Sequence, residues 1–220
     1  MRIRYKKWAR PELEASKFYI NEPEKLKGKW KSKFKNSDLP LHLELGCGKG
    51  QFISQLALAN QNINYIAIDL VDAMLGLAKR SIEQSYKEAK MEPENILITR
   101  FDIERILLIL DKQDEIERIY INFCNPWPRG KHRKKRLTHS IQLEKYKQFL
   151  KQYGEIYFKT DDDDLFESTL IYLEKSGFEV LKKTYDLHQE PIFEKNIETE
   201  HEKMFTEQGI KIKALIAKLI

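Results

Sequence analysis

From residue 41 onward, short apolar runs alternate with amphipathic stretches, and this pattern limits the folds open to the chain more than any other feature. Apolar runs of strand length separated by helical periodicity are typical of βαβ units around a mostly parallel sheet. The predicted strands are residues 41–45, 65–69, 96–99, 119–123, 155–159, 178–185 and 210–216. The predicted helices are residues 50–59, 72–90, 103–110, 138–153 and 164–176.

The fold class that follows is α/β, with a Rossmann-like, seven-stranded, mostly parallel sheet and helices on both faces. The last two strands have no convincing helix between them, so they are predicted to end the sheet as an antiparallel pair. Residues 1–40 are rich in Lys and lack clear periodicity. They are predicted to form a basic N-terminal arm beside a domain of residues 41–220.

Positive charge is clustered in this chain, which carries a net charge of +5 over 220 residues. Residues 1–40 contain twelve Lys and Arg against five Asp and Glu, and a second cluster occupies residues 129–136. Clustered positive charge indicates a polyanionic partner more strongly than a diffuse excess does. For the lysines between Lys25 and Lys35, a solvated surface is the simpler alternative.

The two cysteines, Cys47 and Cys124, are too few for a disulfide framework or a four-ligand zinc site. This favours a reduced, cytoplasmic setting and no metal site. The N-terminus has no apolar core of a signal peptide, and no stretch approaches the roughly 18 apolar residues of a membrane span. Neither secretion nor membrane insertion is predicted.

The first predicted strand leads into Gly46-Cys47-Gly48-Lys49-Gly50 and then into a helix. Glycines allow a sharp turn and close approach of a ligand, and the helix N-terminus offers free N–H groups. The G-x-G-x-G spacing differs from the dinucleotide fingerprint, and Glu44 would repel a pyrophosphate. A carboxylate here suits the sulfonium and ammonium groups of S-adenosylmethionine. Glu44, Gly46 and Gly48 are therefore predicted to bind that cofactor.

Two aspartates follow the next two predicted strands. Asp69 ends the second strand, about twenty residues after the glycines, where a carboxylate can accept both ribose hydroxyls of an adenosine. Asp102 follows the third strand and is placed to reach the adenine amino group. For each residue the alternative is the N-cap of the following helix, since Asp is a preferred cap.

Residues 123–136, FCNPWPRGKHRKKR, follow the fourth predicted strand, at the strand end where open α/β sheets bind ligands. Two prolines stiffen the backbone around Trp127, and Asn125 offers both a donor and acceptors for a flat base. Trp127 is either an aromatic face for the base or a packing anchor. The cations that follow are suited to phosphate contacts, which give affinity without reading sequence.

Four segments occur in order along the chain: LELGCGKGQFI, NFCNPWPRGKHRKKRL, GEIYFKTDDDDLFE and TEHEKMF. With these motifs, and with MRIRYKKWA at its start, the sequence closely resembles the bacterial tRNA (guanine-N7-)-methyltransferase family over nearly its whole length. The resemblance implies a class I methyltransferase fold and methyl transfer from S-adenosylmethionine to N7 of a guanine in the tRNA variable loop, usually position 46. It implies that the cofactor site is lined by Glu44, Asp69, Asp102 and Asn125. The predicted substrate contacts are Arg129, Lys131, Arg133, Asp161, Thr199 and Glu202.

Several residues depart from the family pattern, and Asn125 is the most serious because Asp is usual there. Arg129 replaces a usual Lys, Gly130 interrupts the basic run, and His201 stands where Tyr is usual. Purine N7 has a free lone pair, so attack on a sulfonium methyl needs orientation rather than a general base. Asn125 and Asp161 are the predicted catalytic residues. Asp161 is predicted to be the more important of the two, because its carboxylate can accept hydrogen bonds from guanine N1–H and from the exocyclic amine.

Local structural alternatives remain for two acidic segments. Asp162, Asp163 and Asp164 are predicted to complement the dipole of a helix N-terminus, which leaves Asp161 for the substrate. Thr199 and Glu202 fit a capping box, and that role is compatible with a substrate contact.

Three other functions compete with methylation of tRNA. A nicotinamide-dependent oxidoreductase is disfavoured by the glycine spacing, by Glu44 and by the basic cluster. A methyltransferase acting on protein or a small molecule leaves the cations unexplained. An RNA-binding, methyltransferase-like protein with weak or no catalysis stays open because of Asn125. The expected partner is tRNA, and the short edge strands of the final hairpin are compatible with a monomer or a homodimer.

Overall fold

The computed structural model describes residues 6–220, so the first five residues of the predicted arm lie outside the described residues. The chain divides into unit 1, which extends to Asp114, and unit 2, which is Glu115–Ile220. The predicted division at residue 40 stays a prediction.

Unit 1 is built on four parallel strands, hydrogen-bonded in the order β1-β4-β3-β2. Every residue of β2 is buried, as a strand covered on both faces requires. Its elements are α1 (Ala9–Glu14), β1 (Tyr19–Ile20), β2 (Leu41–Leu45), α2 (Gln51–Ala59), β3 (Asn64–Asp69), α3 (Asp72–Glu88) and β4 (Ile96–Arg100). Short 3₁₀ helices cover Pro23–Leu26, Trp30–Lys33, Ile103–Leu108 and Lys112–Asp114.

The N-terminal arm from residue 6 onward packs onto unit 1 through a few large side chains. Trp30 is 0% exposed, and its Nε1 donates to the carbonyl oxygen of Ile109 at 2.7 Å. Its backbone N–H donates to the Asp114 carboxylate at 3.2 Å. The Arg80 guanidinium lies 3.9 Å from the centroid of the Trp8 ring. The described part of the arm is therefore folded and belongs to the packed unit.

Unit 2 has four strands in the order β5-β6-β8-β7, with β5 parallel to β6 and β8 antiparallel to both of its neighbours. Its elements are β5 (Ile116–Asn122), α4 (Ser140–Tyr146), β6 (Leu150–Thr160), α5 (Asp163–Lys175), β7 (Phe178–Thr184), α6 (Glu200–Glu207) and β8 (Lys213–Leu219). A 3₁₀ helix covers Gly130–Lys135. Across the described residues, no helix combines the length and apolar character needed to cross a membrane.

The seven predicted strands are all present, and the eighth, β1, lies in the arm. The helix predicted at 138–153 is wrong beyond Tyr146, because Leu150 begins β6 and pairs with Ile116 of β5. The antiparallel final pair is confirmed, but helix α6 lies between its two strands in sequence, contrary to the prediction. The helix predicted at 103–110 is the 3₁₀ helix Ile103–Leu108.

Candidate functional site

The glycine loop of unit 1 turns at three positive-φ residues between β2 and α2. The φ angles are +80° at Gly46, +54° at Gly48 and +73° at Gly50, a region that favours glycine. A Cβ on Gly50 would lie 2.6 Å from the Cβ of Ala78, so this glycine packs the loop against α3. A Cβ on Gly46 or Gly48 would meet no described atom within 4 Å. The first two glycines therefore present open backbone, and the third is structural.

Carboxylates lie beside this loop. Glu44, in β2, is 2% exposed. Asp69 ends β3 and accepts from the backbone N–H of Gly48 at 3.0 Å and of Val71 at 2.9 Å. Burial raises the pKa of Asp69, and these hydrogen bonds act in the opposite direction. Burial, and after it the charges of Asp69 and Glu44, raise the pKa of the Cys47 thiol well above its ordinary value. The loop thus has a negative environment that suits a cationic ligand.

The two aspartates differ in their relation to the following helix. The N-cap of α3 is Val71, so Asp69 is not its cap, and that alternative is wrong. Asp102 is the N-cap of the 3₁₀ helix that follows β4, and its side chain accepts from the Glu104 N–H at 2.9 Å. The capping alternative for Asp102 is confirmed, and its contact with adenine stays a prediction.

In unit 2, β5 ends in a stiff turn. Phe123 has a φ of +50°, and its N–H donates to the carbonyl oxygen of Lys159 at 2.9 Å. The side-chain oxygen of Asn125 accepts from the Trp127 N–H at 3.0 Å, and Trp127 has a φ of +43°. The side-chain oxygen of Asn125 thus closes the turn. The half-buried Trp127 ring packs 5.8 Å from that of His132, which agrees with an anchoring role.

The basic run forms the 3₁₀ helix Gly130–Lys135, and its cations do not all face solvent. Arg136 is 0% exposed, donates from Nε to the Pro126 carbonyl oxygen at 2.7 Å, and pairs with Asp164. The other five cations are exposed: Arg129, Lys131, Arg133, Lys134 and Lys135. Arg136 therefore fixes the turn to helix α5. Among the exposed cations, Arg133 also pairs with Asp164 at 3.1 Å, and phosphate binding by this surface stays a prediction.

The four consecutive aspartates after β6 have different partners. Asp162 caps α5 by accepting from the Leu165 N–H at 2.6 Å. Asp163 pairs with Lys213 at 2.8 Å, and Asp164 pairs with Arg136. Asp161 has neither a cap bond nor an ion pair among the described residues. Burial raises the pKa of the half-buried Asp161 carboxyl, and Lys213 and His201 oppose that effect. Asp161 is thus the one member of the run without a cap bond or an ion pair among the described residues, and its contact with a substrate stays a prediction.

Helix α6 begins at the predicted capping box, of which half is formed. Thr199 is the N-cap and accepts from the Glu202 N–H at 3.0 Å. The Glu202 carboxylate does not accept from the backbone N–H of Thr199, as a full capping box requires. It pairs with Lys159 at 2.7 Å and is 0% exposed. Next to this pair, the exposed His201 ring stacks on Phe123 at a centroid distance of 6.0 Å.

Known proteins match almost the whole length of this chain. The model of the family described as "Putative methyltransferase" matches residues 38–215. Proteins named tRNA (guanine-N(7)-)-methyltransferase from Clostridium beijerinckii and Ruminiclostridium cellulolyticum are each 57% identical to it. These alignments cover 99% of this chain, and 98% and 92% of the two relatives. This chain belongs to the tRNA (guanine-N(7)-)-methyltransferase family.

Solved structures show the fold of this tRNA (guanine-N(7)-)-methyltransferase family member. The 16S rRNA methyltransferase KamB aligns with a TM-score of 0.59 at 16% identity, over 82% of this chain and 87% of that one. The 16S rRNA (adenine(1408)-N(1))-methyltransferase from Catenulisporales acidiphilia, a variant crystallised with the cosubstrate SAM, gives 0.59 at 15% identity, over 90% and 91%. The predicted Rossmann-like class I methyltransferase fold is confirmed.

The methyl donor of this methyltransferase is S-adenosylmethionine, and the residues of unit 1 fit it. The open backbone at Gly46 and Gly48 allows close approach, and Asp69 is tied to the same loop through Gly48. The negative environment set by Glu44 and Asp69 favours a sulfonium and an ammonium group over a pyrophosphate. Which atom of the cofactor each residue contacts stays a prediction.

Sequence reasoning missed three buried cations of this family member, Arg136, Lys159 and Lys213. Arg136 stands at the end of a run that otherwise faces solvent. Lys159 lies in β6 and is 3% exposed. The apolar Phe158 next to Lys159 in FKT was the available signal.

Proposed function

We propose that this protein transfers the methyl group of S-adenosylmethionine to N7 of a guanine in the variable loop of tRNA, at position 46. The curated relatives, aligned from end to end, carry the name of this reaction. The exposed cations Arg129, Lys131 and Arg133 serve as an RNA-binding surface. The two cysteines are free thiols, which supports a reduced, cytoplasmic setting.

The chemistry needs little more than orientation and a suitable electrostatic environment. S-adenosylmethionine, when bound, supplies a methyl group on a positively charged sulfur. The N7 lone pair forms the new C–N bond as the C–S bond breaks, so no proton has to be removed from N7. The chain's task is to hold the guanine in line and to tolerate the positive charge that moves onto the purine.

The observation that carries this proposal is that the Asp161 carboxylate has no cap bond and no ion pair among the described residues. Its three neighbours are used by a helix cap and two ion pairs, whereas Asp161 keeps a carboxylate at the end of β6. A carboxylate there can accept from guanine N1–H and the exocyclic amine, which fixes the base and offsets its developing charge. Asn125, whose oxygen closes its own turn, offers N–H donors to the cofactor or to the base.

The reaction is tested by following labelled methyl from S-adenosylmethionine into an unmodified tRNA transcript and into one with 7-deazaguanine at the variable-loop site. Transfer to the first transcript alone is the expected result. Equal transfer to both would mean that the target atom or site is wrong. Cofactor binding without transfer to either would favour an RNA-binding protein without catalysis.

The roles of the two predicted catalytic residues are tested by truncation. Asp161→Ala is expected to lower kcat by about 100-fold or more, in the range seen when one group that stabilises a transition state is removed. Asn125→Ala is expected to have a smaller effect, because its oxygen holds a turn and a neutral amide offsets no charge. Near-normal turnover by Asp161→Ala together with its loss in Asn125→Ala would reverse the assignment.

A further inference from the structure

We propose that Lys159 is a positioning residue for tRNA methylation, acting through Glu202 and the backbone to hold three substrate-binding segments of unit 2 in place. The inference rests on the proposed function for the identity of the substrate. Its structural part stands on contacts within unit 2 alone.

The Lys159 ammonium is the centre of a buried polar network. Its Nζ donates to Oε2 of Glu202 at 2.7 Å, to Oδ1 of Asn196 at 2.8 Å and to the carbonyl oxygen of Ile197 at 2.9 Å. The side chains of Lys159 and Glu202 are 4% and 0% exposed. All three donors of the ammonium are thus engaged, and all of them hold residues 196–202.

Glu202 is occupied on both oxygens. Oε1 accepts from the side-chain nitrogen of Asn196 at 2.6 Å and lies 3.5 Å from Nε2 of His188, while Oε2 is bound to Lys159. A carboxylate without exposed surface and with both oxygens bound does not contact tRNA directly. The substrate contact predicted for Glu202 is better explained as an indirect effect on Thr199 and His201, which share its helical turn.

The backbone of Lys159 links this network to the other two segments. Its carbonyl oxygen accepts from the N–H of Phe123, the residue that starts the turn containing Asn125. Two residues further along the chain lies Asp161. One residue therefore joins the turn after β5, the end of β6 and the start of α6, and each of these contains a predicted catalytic or substrate-binding residue.

A buried ion pair is weak evidence for stability, because desolvation of both charges offsets their attraction. What such a pair does provide is a defined geometry, since either charge left alone inside the protein forces its surroundings to rearrange. Loss of the Lys159 ammonium would release Glu202, Asn196 and the Ile197 carbonyl together. The start of α6 would then move relative to Asp161.

The test uses Lys159→Met, which keeps the length of the side chain and removes the ammonium. The control is Arg118→Met, which removes a different and only partly buried ion pair of the same unit, formed with Glu155 at 2.7 Å. For Lys159→Met we expect kcat on unmodified tRNA to fall by about 10- to 100-fold, the effect of a small misplacement, with the dissociation constant for S-adenosylmethionine unchanged. Amide hydrogen exchange should quicken at residues 196–207 and stay unchanged at residues 41–69.

A second variant covers the case in which Lys159→Met does not fold. Asn196→Ala removes one arm of the network from an exposed residue and strands no buried charge, and the same pattern is expected at smaller size. Unchanged exchange at residues 196–207 in the folded variants would overturn the proposal, whatever their activity. So would a kcat loss in Lys159→Met no larger than in Arg118→Met. If the wild type itself transfers no methyl to tRNA, the proposed function fails, and the exchange result still decides the structural claim.

Discussion

Gly50 and Ala78 are in direct backbone contact: a Cβ on Gly50 would lie 2.6 Å from the Cβ and 2.8 Å from the Cα of Ala78. Two residues earlier, a Cβ on Gly48 would meet no described atom within 4 Å. Both glycines have a positive φ, so the loop contains two residues with the same backbone requirement and opposite surroundings.

Alanine at these two positions should separate folding from ligand binding. Gly48→Ala is expected to lower the free energy of unfolding by about 1–2 kcal/mol, the strain of a left-handed residue. Gly50→Ala adds steric overlap with α3, worth about 1–3 kcal/mol more. The added methyl of Gly48→Ala fills the space open to the cofactor, so it should weaken S-adenosylmethionine binding more than its stability loss explains. Urea unfolding measures the free energy of unfolding, and calorimetric titration measures the affinity for S-adenosylmethionine. Tighter binding by Gly48→Ala than by the wild type would contradict the prediction.

Asp161→Asn should be more stable than the wild type at neutral pH while transferring less methyl. Burial raises the pKa of Asp161 in the folded protein, so the folded state holds its proton more tightly than the unfolded state. The contribution of this carboxyl to stability is then largest in acid and decreases as pH rises from its unfolded to its folded pKa. Urea unfolding at pH 7 should show the difference, and it should shrink below about pH 4. A variant less stable at pH 7 would indicate that the carboxylate is held by favourable contacts.

The exposed cations should determine how strongly salt weakens tRNA binding. Replacing Lys131 and Lys134 by Ala should reduce the slope of log affinity against log salt concentration by about 1 for each lysine that contacts a phosphate. A double variant at Lys175 and Lys182, exposed lysines outside the cluster, changes the net charge equally and should leave the slope nearly unchanged. Filter binding across a salt series measures the slope. Equal reductions in both variants would mean that net charge, and not this cluster, controls binding.

The pair of Arg136 and Asp164 should respond unequally to loss of its two members. Arg136 is 0% exposed, whereas the Asp164 side chain is 51% exposed. Asp164→Ala leaves a buried guanidinium without its carboxylate, and about 3 kcal/mol of stability should be lost. Arg136→Met leaves an aspartate that water can solvate, so the loss should be nearer 1–2 kcal/mol, mainly from the Pro126 carbonyl losing its donor. Thermal unfolding of both variants tests the order, and the reverse order would be incompatible with this burial.

Elements that depend on a local pattern were predictable from the sequence. Strand β2 has leucine at three of its five positions, and its predicted and observed bounds agree. The helix predicted at 138–153 failed because Phe149, Leu150 and Tyr153 have spacing that a helix tolerates. Leu150 instead begins strand β6, where it pairs with Ile116 of β5, a contact far away in sequence. Helix α6 was missed although Thr199 and Glu202 gave its start signal, since the segment has little apolar surface.

In the candidate site too, some residues could be predicted from the sequence and others could not. The positions of Asp69 at the end of one predicted strand and of Asp161 just after another could be predicted, because each adjoins an apolar run that is typical of a strand. Which member of a charged run is buried could not be predicted. The burial of Arg136 depends on its contacts with the Pro126 carbonyl oxygen and with Asp164, which only the folded chain brings together. Glu202 shows the same limit: the family resemblance implied a substrate contact, whereas its ion-pair partner Lys159 lies 43 residues away in sequence.

The anchored arm has a thermodynamic consequence for association. Because Trp30 is already buried against Ile109 and Asp114, a polyanion that contacts the neighbouring lysines meets a surface that is formed beforehand. Its binding does not have to overcome the conformational entropy of ordering residues 6–40. The heat-capacity change of association should then match rigid contact area rather than coupled folding of this segment.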